Sequence, residues 1–298
     1  MRLMLLCGLL LCCWISPAAA IARLDALGRP VDLPAVPQRI VSLAPSVTET
    51  LFALGVGDRV VGVTRYCDYP AAARSRTKVG GYTNPNLELI LTLNPDLVIV
   101  STGKSSPLLP ERLSELGLPV FTVAPDSLTD TFATIGLLGE VTGVPEAGRS
   151  LAAELENVVF NIKAAVKDRK PPGVLLCIMV RPLRLAGPGT LGDDLIRAAG
   201  GINLVPPGSE PYPSWGMEKL LRVNPEVIIV SPHPSDPDPA AYFSAWSGLR
   251  AVREKRVVSI EPDWLHRPGP RLRRGLTALV DALHGAAALE QQGSETKD

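Results

Sequence analysis

The sequence predicts an α/β fold: two pseudo-symmetric lobes with parallel sheets, joined by one long rigid helix. Three observations carry that expectation. The first is an internal repeat. Asn86 to Ser101 (NLELILTLNPDLVIVS) and Gly216 to Ser231 (GMEKLLRVNPEVIIVS) align at a constant offset of 130 residues, with 7 of 16 positions identical. Solenoid repeats recur every 20–50 residues or so, and this spacing is far longer, so it marks two domains of one architecture. The second is the order of elements. Short apolar runs alternate with segments of helical spacing, which implies βαβ units and parallel sheets. The third is the stretch 127–170, which keeps helical periodicity and contains no strand-like run.

The elements follow in order. Residues 21–37 read as an edge strand with a turn, ending at Pro34 and Pro37. RIVSLAP (39–45) reads as a strand, and SVTETLFALG (46–55) as a helix. Ser46 is its expected N-cap, Glu49 completes a capping box, and Gly55 stops it. RVVGVT (59–64) is the next strand, followed by the polar loop YCDYPAAARS. In the repeat, Asn84 is the expected cap with Pro85 at the first helical position. Leu87, Ile90, Leu91 and Leu93 keep helical spacing, Asn94-Pro95 breaks the helix, and DLVIVS is a buried strand. The second copy starts from Ser214 as cap. A helix over 107–116 and the strand PVFTVA (119–124) complete the first half. Pro145 starts a helix running to about Arg169, roughly 35 Å long. Lys170-Pro171-Pro172 ends it, and GVLLCIMV opens the second lobe. The expected domains are a signal peptide (1–20), an N-terminal lobe (21–143), the connecting helix (144–170) and a C-terminal lobe (171–298). A continuous helix is stiff, so limited opening and closing is expected.

The chain has 298 residues, 46% of them apolar, enough for two cores. Thirty basic and 30 acidic residues argue neither for nucleic acid nor for a strongly charged partner. Arg2, the apolar run Leu3–Ile15 and Pro17-Ala18-Ala19-Ala20 read as a signal peptide cleaved before Ile21. The run is shorter than the roughly 20 residues of a membrane span. Lipid attachment at Cys12 or Cys13 is the alternative, although Leu11 is not the small residue such processing favours. Cys67 and Cys177 remain after cleavage. They make neither a disulfide framework nor a metal spacing. Cys177 reads as a buried strand residue and Cys67 as an exposed loop residue.

Gly187 to Gly192 matches G-x-G-x-x-G. A dinucleotide site also needs a second strand after the helix with an acid at its end. Here GGINLVPPGSEPYP follows, which does not read as a strand, and Glu210 falls in a loop. The motif is therefore read as a glycine turn capping a helix. There is no P-loop, nucleophile elbow or H-E-x-x-H, so no catalytic residue, resident cofactor or metal centre is expected. His233, His266 and His284 show no ligand spacing.

Aromatics are scarce, and Tyr66, Tyr69, Tyr82, Tyr212, Trp215 and Trp264 all fall in expected loops. Tyr82 and Tyr212 stand at the same place in the two lobes, each two residues before an expected helix cap. Loops at the C-terminal ends of parallel strands bind ligands, so Tyr66, Tyr82, Tyr212 and Trp264 are candidate ligand-binding residues. Glu88 and Glu218 share the first turn of the repeated helix. A carboxylate there gains about 0.3–1 kcal/mol from the helix dipole. As a pair, one on each lobe, they also suit symmetric docking onto basic residues of a dimeric partner.

Four segments carry a resemblance over about Arg39 to His284: RIVSLAPSVTETLFALG, the Y-x-D-Y-P loop from Tyr66 to Pro70, NLELILTLNPDLVIV, and DWLHRPGPR from Asp263 to Arg271. The chain resembles the periplasmic substrate-binding proteins of ABC importers with a helical inter-domain backbone, which carry cobalamin, ferric siderophores or haem. Within that group it is most similar to the cobalamin branch. The resemblance implies a monomer that is not an enzyme. It implies capture of cobalamin (vitamin B12) or a related corrinoid in the periplasm and delivery to a membrane-embedded permease dimer. Glu88 and Glu218 match the acids that engage permease arginines. Tyr66, Tyr82, Tyr212 and Trp264 fall at or near positions lining the corrin cleft. The cobalamin branch tends to show Trp where this chain has Tyr82 and Tyr212, and aromatics where it has Ser101 and Arg184. That implies a more polar cleft, in which an arginine would suit an anionic ligand. A haem or ferric-siderophore carrier on the same fold is the alternative. Tyr66, Tyr82, Tyr212 or His266 would then be the axial ligand of a haem iron.

Overall fold

The chain opens with an antiparallel hairpin of β1 (Ile21–Leu24) and β2 (Pro30–Leu33) in a computed structural model that describes residues 21–102, 108–233 and 236–286. The signal peptide and the alternative at Cys12 or Cys13 lie outside the described residues. The N-terminal lobe then runs β3 (Ile40–Ser42), α1 (Pro45–Ala53), β4 (Val60–Val63), β5 (Thr77–Lys78), α2 (Leu87–Thr92), β6 (Leu97–Ser101), α3 (Leu108–Glu115) and β7 (Val120–Val123). Its sheet is parallel, in the order β5-β4-β3-β6-β7. Side chains alternate across a strand. In β6, Leu97 and Ile99 therefore pack with Phe121 and Leu51 on one face, while Val98 and Val100 pack with Ile90 and Leu113 on the other. Both faces are covered, which is why the run reads as continuously apolar.

Two helices link the lobes: α4 (Leu128–Val141) and α5 (Pro145–Val166). The expected single helix is thus a helical hairpin, and α5 ends at Val166. α4 starts in the core of the second lobe with Leu128 and finishes in the core of the first with Leu138 and Val141. α5 returns from Leu151 to Val159, Ile162 and Val166 in the second lobe. The helices touch where Gly139 meets Gly148: a Cβ on Gly139 would lie 2.7 Å from the Gly148 Cα. Asp194 accepts from the Leu128 amide at 2.9 Å, fixing the start of α4 to the second lobe.

The C-terminal lobe comprises β8 (Gly173–Met179), β9 (Arg184–Leu185), α6 (Leu191–Ala198), β10 (Ile202–Asn203), α7 (Met217–Val223), β11 (Val227–Val230), α8 (Pro239–Ser244), α9 (Arg250–Arg253), β12 (Val257–Ser259), α10 (Pro262–His266) and α11 (Leu272–His284). Its parallel sheet has the order β10-β8-β11-β12, with β9 antiparallel to β8. It too has a core on each face: Leu176 and Ile229 on one side, Leu175 and Ile228 on the other. The short strand β10 corrects the sequence reading of GGINLVPP. Asn203 anchors it by donating to Asp193 Oδ1 at 2.9 Å.

The repeat is real in structure: α2–β6 and α7–β11 occupy matching places, and Asn94 and Asn224 are both left-handed (φ 44° and 49°). Asn is among the few side chains that tolerate this conformation, and Pro follows helix ends because it cannot continue them. The identity of Asn-Pro in both copies thus has a backbone cause. The expected caps are not the observed ones. Asn86, not Asn84, accepts the Leu89 amide at 2.9 Å, and Gly216, not Ser214, precedes α7. Pro85 instead belongs to the preceding turn, bridged to Gly80. α1 begins one residue early, with Ala44 as its cap and Pro45 in the first turn. Ser46 and Glu49 therefore form no capping box.

Cys177 is buried in β8 as expected, and burial pushes its thiol far above the ordinary range. Cys67 is buried, against expectation, where the Thr48 hydroxyl donates to its Sγ at 3.1 Å and Thr64 lies 3.2 Å away. Trp215 is also a core residue rather than an open loop aromatic, with the Lys219 ammonium 4.2 Å over its ring.

Candidate functional site

Parallel sheets gather the loops after their strands at one end. Around the turns after β3, β6 and β7 this places Ser46, Ser101 and Asp126 on one wall of a cleft, with Tyr82 beside them. The opposite wall comes from the other lobe: Leu191 at the start of α6, Tyr212, and the segment Leu265–Pro268 at the end of α10 and just beyond it. The enclosed space is about 350 Å³. Tyr82 and Tyr212 are 40% and 45% exposed, so each ring is only half committed to its own lobe.

Polar groups orient the rings. The Tyr82 hydroxyl donates to the Ser101 carbonyl at 2.5 Å, tying the loop before α2 to the end of β6. Burial pushes both phenols above their ordinary range, and the Asp126 charge adds to the rise at each. One carboxylate therefore influences the tyrosines of both lobes. His266 opens to the cleft between crowded walls. Loss of hydration lowers its pKa against the opposing pull of Asp263, which favours the neutral ring.

Beside the cleft a dense ion-pair cluster joins the lobes. Glu49 on α1 is 1% exposed in its side chain and accepts from Arg271 Nε (2.7 Å), Arg271 Nη2 (2.6 Å) and Arg267 Nη1 (2.9 Å). Arg267 also pairs with Asp68 at 2.7 Å and Asp263 at 2.7 Å, and Arg271 with Asp263 at 3.1 Å. Tyr69 lies under the Arg271 guanidinium at 4.5 Å. Burial works against the charge on both arginines, but the carboxylates outweigh it and hold them charged. Burial likewise raises Asp68, and Arg267 outweighs it, leaving the carboxyl below its ordinary range.

The structure brings together three of the six expected ligand-binding residues: Tyr82, Ser101 and Tyr212. The other three are not on the cleft wall. Tyr66 is exposed, with the Arg65 guanidinium 6.0 Å from its ring. Trp264 packs against the second lobe's core at α11, where a Cβ on Gly275 would strike its carbonyl at 2.3 Å. Arg184 is an exposed residue of the short strand β9, bridged to Ser214. Glu88 and Glu218 are both exposed in the first turns of α2 and α7, and Glu218 pairs with Arg222 at 2.8 Å. Sequence reasoning missed Asp126 and Arg267 as wall residues. Asp126 belongs to no motif; Arg267 sits in DWLHRPGPR, whose Arg271 and Asp263 make the inter-lobe cluster.

Fold and cleft together define a two-lobed α/β binding protein with a helical connection between the lobes. The chain belongs to the periplasmic binding protein family, which it matches over residues 40–264. It is 30% identical to a vitamin B12-binding protein of Vibrio cholerae over 235 residues, covering 78% of this chain and 84% of that one. Its fold is similar to the crystal structure of the periplasmic vitamin B12 binding protein of V. cholerae (TM-score 0.72, 28% identity, 87% of this chain and 99% of that chain). It is similar to the same degree to a periplasmic heme binding protein from Pseudomonas aeruginosa (TM-score 0.74, 30% identity, 83% of this chain and 93% of that chain).

Proposed function

We propose that this protein captures cobalamin or a related corrinoid in the periplasm and delivers it to the dimeric permease of an ABC importer. No bond is made or broken. The observation that carries this reading is the pair of half-exposed tyrosines, Tyr82 and Tyr212, offered by opposite lobes to one cleft. Aromatic faces suit a broad, largely apolar macrocycle, and a few polar groups fix its orientation. The cleft is at the small end of ligand pockets, which run from roughly 300 to 1,000 Å³. A corrinoid would fill it with one part of its surface and leave the rest at the mouth. The B12-binding relatives support the same assignment.

A second reading, haem transport, is favoured by His266. It presents an imidazole to the cleft, and ferric haem takes His or Tyr as axial ligand. Titrating the purified protein with cyanocobalamin, haemin and a ferric siderophore, followed by absorbance, separates the two. Saturable one-to-one binding of cyanocobalamin is expected. Saturation by haemin alone sinks the corrinoid reading and leaves the transport fold intact.

Glu88 and Glu218 would set docking on the permease through charge-assisted contacts to arginine. Glu88→Ala with Glu218→Ala is expected to lower uptake while leaving ligand affinity unchanged. Loss of ligand binding in that double variant sinks the docking role.

A further inference from the structure

The charged side chains at the cleft fall into two groups among the described residues. Arg267 supplies the guanidinium on the wall, and Glu49, Asp68 and Asp263 already share it. Counting Arg271, the cluster sets two guanidiniums against three carboxylates, so it projects no net positive charge into the cleft. Arg112 lines an adjoining cavity on the far side of Tyr82, Ser101 and Thr102, and Arg184 is not on the wall. Asp126 is the remaining ionised group on the wall. It lies on the turn between β7 and α4, half-buried, with no ion pair among the described residues.

We propose that Asp126 is a specificity-determining residue: it makes the cleft electronegative, so that neutral and cationic corrinoids are accepted and ligands bearing carboxylates or catecholates are rejected. This rests on the corrinoid reading and adds to it a residue and a sign. Two effects act in the same direction. A propionate or catecholate brought into a partly desolvated cleft is repelled by the fixed carboxylate. Iron ligation by a tyrosine also requires loss of the phenol proton, and a nearby anion opposes that loss. Asp126 acts on both cleft tyrosines in this way, and the Tyr82 hydroxyl is already engaged with Ser101. A cyano- or aquo-corrinoid needs no protein phenolate and carries no carboxylate.

The test uses Asp126→Asn, which keeps the side chain's shape, with an unchanged Tm as the check on folding. Wild type and variant are titrated at pH 7 and low ionic strength with three probes: cyanocobalamin (no net charge), aquocobalamin (a monocation) and haemin (two propionates). Measured against the change for cyanocobalamin in the same variant, aquocobalamin should bind about three- to tenfold more weakly and haemin about three- to tenfold more tightly. Both shifts should shrink at about 0.5 M salt. Equal changes for all three probes, or none for aquocobalamin and haemin, overturn the proposal. If wild type binds neither cobalamin, the corrinoid reading falls, and the haemin shift still decides the sign of the cleft. If cyanocobalamin binds but the charged probes do not shift in opposite directions, the reading stands and the role of Asp126 falls.

Discussion

Two regions join the lobes side by side, and they are built on opposite principles. In the ion-pair cluster, Glu49 meets two guanidiniums, and each of those meets a further carboxylate. In the cleft, two tyrosines stay half exposed, a histidine faces open space, and Asp126 makes no ion pair among the described residues. A buried charge without partners is costly, so a saturated cluster holds one geometry. Aromatic faces and polar groups left open to the cleft are free to meet a ligand, even where, as in Tyr82, the hydroxyl is already held. The difference separates residues that set the spacing of the lobes from residues that use it, although both sets come from the same few loops.

The largest expected effect breaks the cluster. Glu49→Ala removes the most buried acceptor of Arg267 and Arg271 and leaves them Asp263, with Asp68 also on Arg267. It should cost about 2–3 kcal/mol of stability, below the 3–5 kcal/mol or so of a buried charge left wholly without a partner. Urea unfolding checks this, and a change below about 1 kcal/mol would mean that the lobes are held by the α4–α5 hairpin alone. Next comes the cleft. Tyr82→Ala with Tyr212→Ala should weaken cyanocobalamin binding about a hundredfold, from the lost burial of two rings, while unfolding shifts far less than in Glu49→Ala. Trp264 tests the boundary between the two regions. Its ring packs on α11, so Trp264→Ala should cost about 2 kcal/mol of stability with affinity unchanged; a loss of affinity would return it to the cleft.

The smallest effect is acid sensitivity. His284 has a pKa lowered in the fold, chiefly by burial, and crowding between the lobes pushes His266 the same way although its surface is open to the cleft. The unfolded chain therefore takes up protons first as pH falls through about 6.5, so stability is full above that pH and declines below it. Asp68, depressed because Arg267 outweighs its burial, repeats the pattern below about pH 4. Tm measured from pH 7 to pH 5 should fall modestly, and His266→Gln should flatten part of the slope. A Tm that rises on acidification contradicts the assignment.

Much of the fold was legible because local pattern dictates it. The repeat, the apolar strands and the helical stretch 127–170 all express periodicity and burial. The pairing of Tyr82 with Tyr212 was legible from their matching offset. The rest depends on contacts far apart in sequence. Glu49 looked like a capping-box acid because Ser46 stands three residues before it, but its partner Arg271 lies 222 residues away. Cys67 looked exposed because its neighbours are polar, yet Thr48 and Thr64 enclose it. The two-residue strands β9 and β10 are too short to show a period. The second linking helix was read as lobe because periodicity does not reveal which cores a helix joins.

The central claim is that a corrinoid is held between the tyrosines of the two lobes. Calorimetric titration of wild type and of Tyr82→Ala/Tyr212→Ala with cyanocobalamin tests it most directly. Tight one-to-one binding by wild type and a loss of about a hundredfold in the variant are expected, with both proteins folded. Equal affinity in the two proteins, or no binding by wild type, would contradict it.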